Sequence, residues 1–247
     1  MYALRKMIVV DTKNLFKNKA WLLLGIFLSI ILVALLGFIT KPLYGSIMSS
    51  YDFYGVTVFL FGTANGATFS ANAFLEEKVK GANLRVVFSS VPDYFIPLSK
   101  VIATFIFTSI NTLISAVVVV VLFQVNFGRE HLFETFLLFL IFNFFSCVIG
   151  VFVCTLVKTE AIANQITSLV IMILALLGGF FFNISSINET LGKIASYLPF
   201  TQLKDLIFGL IYDDVPPSIF TVSLILGVSS IILLFASCVL FKGEDYL

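Results

Sequence analysis

Charge is scarce in this chain. Asp, Glu, Lys and Arg make up 12% of its 247 residues, about half the ~25% of an ordinary soluble domain. Such a chain has no basic face for nucleic acid and too little charge to stay disordered in water. Histidine and tryptophan occur once each. The three cysteines, Cys147, Cys154 and Cys238, sit singly inside apolar runs, with no CxxC pair and no Cys/His cluster. Zinc and iron–sulfur centres are therefore not expected, nor is a disulfide. The sequence also lacks a G-x-x-x-x-G-K-[ST] phosphate loop. Its Gly192-Lys193 pair is followed by Ile194, and Ile187 stands where the first glycine belongs.

Apolar residues fill the space that charge leaves. They account for 60% of the chain, with 29 Phe against 8 Tyr, and the mean hydropathy is +1.08. The solvent for most of this surface is lipid, and a soluble globular domain is excluded. A bilayer core of ~30 Å needs about 20 apolar residues of helix. Six stretches qualify: 20–39, 53–74, 101–125, 132–157, 161–182 and 219–241. Backbone groups in lipid must be satisfied within the segment, so runs of this length are helices rather than barrel strands. The expected fold is an all-α polytopic membrane protein of six spans in a single domain. The first span is longer than the apolar core of a signal peptide and has no A-x-A-like site, so it is expected to remain as an anchor.

Loop charge sets the expected orientation. With the N-terminus inside, the inner segments carry Arg5, Lys6, Lys13, Lys17, Lys19, Lys78, Lys80, Arg85, Lys100, Lys158 and Lys242. The outer ones carry only Lys41, Arg129, Lys193 and Lys204. Both termini are thus expected in the cytoplasm, with the body in the cell membrane.

Three segments outside the spans carry pattern. Residues 1–19 place Leu4, Ile8, Leu15 and Phe16 on one helical face and Lys6, Lys13 and Lys17 elsewhere, which predicts an interfacial amphipathic helix beside membrane lipid. Residues 75–100 open on Glu76, Glu77, Lys78 and Lys80; Gly81 is placed to end that turn, and Arg85, Pro92 and Pro97 follow. This reads as a short helix projecting inward that another protein could grip. Residues 183–218 hold two short amphipathic pieces, 187–197 and 202–211, separated by Pro199. Neither is long enough to span, so a re-entrant outer pair is expected. Asn183 and Asn188 open formal glycosylation sequons that arise readily by chance.

Polar residues inside the spans fall at helical spacing. Asn65, Phe69 and Asn72 form one stripe; Asn164, Ser168 and Ile171 form another. Such stripes face protein or a cavity rather than lipid, either as helix–helix glue or as the lining of a path. No Asp, Glu, Lys or Arg lies mid-span, and Glu134 stands at the outer end of the fourth. A proton relay or sodium site would need such a group.

Taken together, the chain resembles a permease subunit of the type-2 (ABC2-type) ATP-binding-cassette transporters, over nearly its whole length. The residues that carry the resemblance are Glu76, Glu77, Lys78, Gly81, Arg85, Pro92 and Lys100 in the inner loop, and the Leu198-Pro199-Phe200-Thr201 turn before the sixth span. Where the family often has arginine after the first glutamate, this chain has Glu77. The resemblance implies two six-span subunits, identical or not, seated on two cytoplasmic ATPase chains. ATP and magnesium would sit on those partners, with no cofactor on this chain and no catalytic residue. The helix around Glu76–Gly81 would transmit ATPase closure, and spans two and five would line the path. With Phe-rich spans and no buried charge, a hydrophobic or amphipathic cargo (peptide, drug or lipid-like) is expected to be exported. A lipid-linked glycan exporter, a non-transporting immunity or sensor protein, and an intramembrane enzyme are the alternatives; the last lacks the Glu/His constellation it would need.

Overall fold

A computed structural model describes residues 2–45, 48–75, 77–89, 91–157, 159–182, 189–212 and 219–243; of Glu77–Lys80 and Ala82 it describes the backbone alone. The described residues are helical, with no strand among them. In chain order they form α1 (Tyr2–Lys17), α2 (Lys19–Thr40), α3 (Ser50–Ala64), α4 (Gly66–Leu75), α5 (Glu77–Val87), α6 (Phe95–Phe123), α7 (Leu132–Val157), α8 (Glu160–Leu177), α9 (Glu189–Ser196), α10 (Pro199–Tyr212) and α11 (Ile219–Leu240). Among the described residues five helices are long and apolar enough to cross a membrane: α2 with the 3-10 turn after it, α6, α7, α8 and α11.

The expected continuous span over 53–74 is instead two helices. Asn65 breaks it: its side-chain amide donates to the Phe61 carbonyl at 2.8 Å, and a new helix starts from its own carbonyl. Asn-Gly is a turn-forming pair that a hydropathy window passes over. Neither α3 nor α4 alone has the length to cross. Ten of the fifteen residues of α3 and seven of the ten of α4 are buried. Around them stand α2, α6, α7 and α8. Gly150 of α7 lies against α4; a Cβ there would lie 2.1 Å from the Ala67 carbonyl oxygen.

Four further expectations are corrected. The third apolar helix begins at Phe95, not Val101. Pro97 falls in its first turn, where no intrahelical N–H is required. Lys100, expected in the preceding loop, is a buried helical residue. The fifth stretch stops at Leu177 rather than 182. There Gly179, at φ 69°, closes a Schellman turn: its N–H donates to Leu176 and that of Phe180 to Ala175. Gly81 does not end a turn, because α5 runs through it to Val87.

Candidate functional site

The stripe of Asn65, Phe69 and Asn72 faces a cavity of about 220 Å³ between α2, α3–α4 and α6. Trp21, Gly25 and Ser29 of α2, Thr68 of α4 and Thr108 and Asn111 of α6 also line it. Phe69 packs edge-on against Trp21 and Phe107, with centroids 6.0 and 5.8 Å apart. The second stripe divides. The Asn164 amide donates to Asn72 Oδ1, joining α8 to α4, and Ile171 is buried. Ser168 lies on the exposed face of α8. The inward face of α8 is Ala163, Thr167, Ile171 and Ala175, one residue out of register with the polar spacing. A second, apolar groove of about 330 Å³ runs between α6 and α7. Asn143 at its edge donates to Ser109 Oγ at 2.9 Å and accepts from the Thr108 hydroxyl at 2.9 Å.

At one end of the bundle α5 follows α4. Glu76 lies outside the described residues, and Glu77, Lys78 and Lys80 are helical positions of α5. Gly81 and Arg85 are exposed, and among the described residues nothing approaches within 4 Å of a Cβ built on Gly81. Val87, at the end of α5, packs on Gly243, whose N–H donates to Asp93 at 3.2 Å. The Phe74 and Phe241 rings meet edge-on at 5.5 Å. The segment after α11 is thus held against both flanks of α5.

The N-terminal helix lays its apolar face on α6. Leu15 is buried with Ala73, Ala103 and Phe107, and Phe16 packs edge-on against Phe107. Asp11, on the same face, accepts from Lys100 Nζ at 2.6 Å and from the Ser99 hydroxyl at 3.0 Å. No local pattern announces this pair, because its members are 89 positions apart.

At the other end, Pro199 opens α10 at its first helical position, where proline fits best. Leu198 joins α9 to it, and the Leu198 N–H donates to Ala195. Phe200 is buried, edge-on to Phe142 at 5.0 Å and stacked on Phe180 at 6.0 Å. The sequon asparagines Asn183 and Asn188 lie outside the described residues. Asp52 closes a capping box with Ser49 at the start of α3 and accepts from the Asn126 N–H at 2.7 Å. It thereby ties α3 to the α6–α7 loop.

Comparison with known proteins bears on what this arrangement is for. None of the curated proteins matches the chain. The profile of the family described as "ABC-2 family transporter protein" matches residues 36–239, which runs from the last turn of α2 through α6, α7, α8 and nearly all of α11 and includes the α4–α5 corner. The chain belongs to the ABC-2 family of transporter membrane proteins, as a permease subunit.

Proposed function

We propose that the chain is the membrane subunit of an ATP-driven exporter. Two such subunits, alike or different, pair in the cell membrane above two cytoplasmic ATPase chains. ATP and magnesium are handled by those partners. The two termini and α5 face the cytoplasm, and α3 and α4 together make the sixth crossing. The cargo is hydrophobic or amphipathic, in keeping with phenylalanine-rich walls and the absence of mid-span charge.

One observation carries the reading most directly: α5, with Gly81 and Arg85 exposed, leaves the end of the largely buried α4. A push on α5 is delivered straight into the centre of the bundle through Phe74 and Leu75. Glu76, Glu77, Lys78, Lys80, Gly81 and Arg85 form the surface that docks on the ATPase. Asn65, Phe69, Asn72, Asn164, Ser168 and Ile171 border the path, and Leu198, Pro199 and Phe200 set the outer pair of helices. Ser168 fits this role by facing outward, where a second subunit would meet it.

Charge reversal across Glu76–Lys80 tests the proposal. The reversed chain should still enter the membrane but lose ATPase co-purification and export. Retention of the ATPase by the reversed chain would show that α5 is not the docking helix.

A further inference from the structure

The cavity between α2, α3–α4 and α6 holds a carboxamide with nothing to bond to. Asn111 is 3% exposed, and neither its Oδ1 nor its Nδ2 has a hydrogen-bond partner among the described residues. The Thr68 hydroxyl, lining the same cavity, is likewise buried and unpartnered. Leaving such a group unpaired costs about 1–3 kcal/mol, and buried polar side chains are nearly always satisfied. The three orphaned atoms belong to two residues that line one cavity, so a turn of either side chain brings a polar atom to a partner in that space.

Glycines let the helices close on the polar end of the cavity. A Cβ on Gly25 would lie 2.6 Å from Asn111 Nδ2, and one on Gly62 would lie 3.0 Å from Ser29 Oγ. Larger residues at either position would crowd the polar end. The opposite edge is formed by Leu24 and Leu28, both about half exposed. The space therefore runs from an apolar edge on the outside of α2 to an amide at its inner end. Its volume of about 220 Å³ takes a small head group and the first carbons of a chain. Among the described residues no Asp, Glu, Lys, Arg or His lines it, so an ionic head would lose its hydration without a counter-charge.

The geometry points to a binding site for a neutral amphiphile whose head both donates and accepts hydrogen bonds, as an amide or a hydroxyl does. The head reaches Asn111 and Thr68, and the tail leaves past Leu24 and Leu28. A carboxamide supplies an acceptor and two donors, which is the complement of such a head. That the ligand is exported cargo rests on the proposed transport role; the site itself does not.

Trp21 is the chain's one tryptophan and lines this cavity, so its fluorescence reports occupancy. The full chain in lipid nanodiscs is titrated with N-decylacetamide, decan-1-ol, decane and decanoate, without any ATPase. Saturable fluorescence change and a raised Tm are expected with the amide or the alcohol, and neither with decane or decanoate. Asn111→Leu, close in size but without polar atoms, should weaken amide binding about tenfold, the worth of one to two hydrogen bonds. Thr68→Val, milder still, should weaken it severalfold. Equal responses to decane and N-decylacetamide in the wild-type chain would overturn the site whatever the variants do. So would undiminished amide affinity in a folded Asn111→Leu or Thr68→Val chain, which would leave solvent as the partner of Asn111. Loss of ATPase association on reversing α5 charges bears on the transport role alone, so the two failures are distinguishable.

Discussion

Removing the carboxylate of Asp11 tests how α1 is held, and the structure sets the size of the effect. Lys100 is 2% exposed at its side chain and Asp11 13%. In Asp11→Ala the ammonium stays at its buried position with its one short contact gone. Stranding a buried charge in this way costs about 3–5 kcal/mol. In Lys100→Met the carboxylate remains, but it still accepts from Ser99 at 3.0 Å and has some access to water. That loss is closer to one charge-assisted hydrogen bond, about 1.5–3 kcal/mol. Replacing both, as Asp11→Leu with Lys100→Met, removes two desolvation penalties along with the attraction. It should leave stability near the starting value or above it. The assay is thermal unfolding of the purified chain in one detergent, with protease cleavage within α1 as a local readout. The expected order is Asp11→Ala least stable, Lys100→Met intermediate, and the double variant recovered. A double variant that is merely the sum of the single losses would refute the reasoning, as would Asp11→Ala proving the milder change.

Four other substitutions have defined outcomes. Gly150→Ala puts a Cβ 2.1 Å from the Ala67 carbonyl oxygen, a backbone atom that no rotamer can move aside; folded yield on size exclusion should collapse. Gly227→Ala meets nothing within 4 Å and serves as its control, with unchanged yield and up to ~1 kcal/mol of added helix stability. Gly81→Ala should likewise raise the stability of α5 by about 1 kcal/mol, read as slower amide exchange from Glu77 to Val87; faster exchange would mean that Gly81 ends the helix after all. Phe200→Ala empties the space between Phe142 and Phe180 and should cost about 3–5 kcal/mol in thermal unfolding.

Some of this structure is written in local pattern and some is not. Long apolar helices are legible because lipid-facing walls need apolar side chains at every outward position, as on α2 with Leu24, Phe27, Leu28 and Ile31 exposed. The start of α6 is not, because prolines signal a loop while Pro97 occupies a first turn that tolerates it. The Asp11–Lys100 pair is invisible because its charges look like ordinary inner-face flanks until two distant helices meet. On α8 a rule that polar residues face inward selects Ser168 and misses Thr167. Small residues, not the more polar ones, let neighbouring helices approach, so Ala163, Thr167 and Ala175 turn in. Of the candidate path residues, Asn65, Phe69 and Asn72 share one cavity by their own helical spacing. Asn111 does not announce itself, since an isolated asparagine in an apolar run looks the same whether bonded or orphaned.

Hydropathy itself misleads most where the fold matters most. The stretch 53–74 is the least apolar of those read as membrane-spanning, yet α3 and α4, which hold it, have the greatest share of buried residues. Only two of the twenty-two residues of α2 and three of the twenty-two of α11 are buried. The reason is what each helix touches. A wall helix must offer apolar bulk to lipid around most of its circumference. A helix enclosed by four others can be built from Gly, Ala, Ser, Thr and Asn, which pack closely and bond across interfaces. Enclosure also allows the break at Asn65, because irregular backbone at membrane depth is tolerated only where protein or a polar cavity surrounds it. Asn65, at the break, and Phe69 and Asn72, one and two turns on, line one cavity with Asn111. Low hydropathy, a helix interruption and an orphaned carboxamide thus have one physical origin: this segment's solvent is the protein itself.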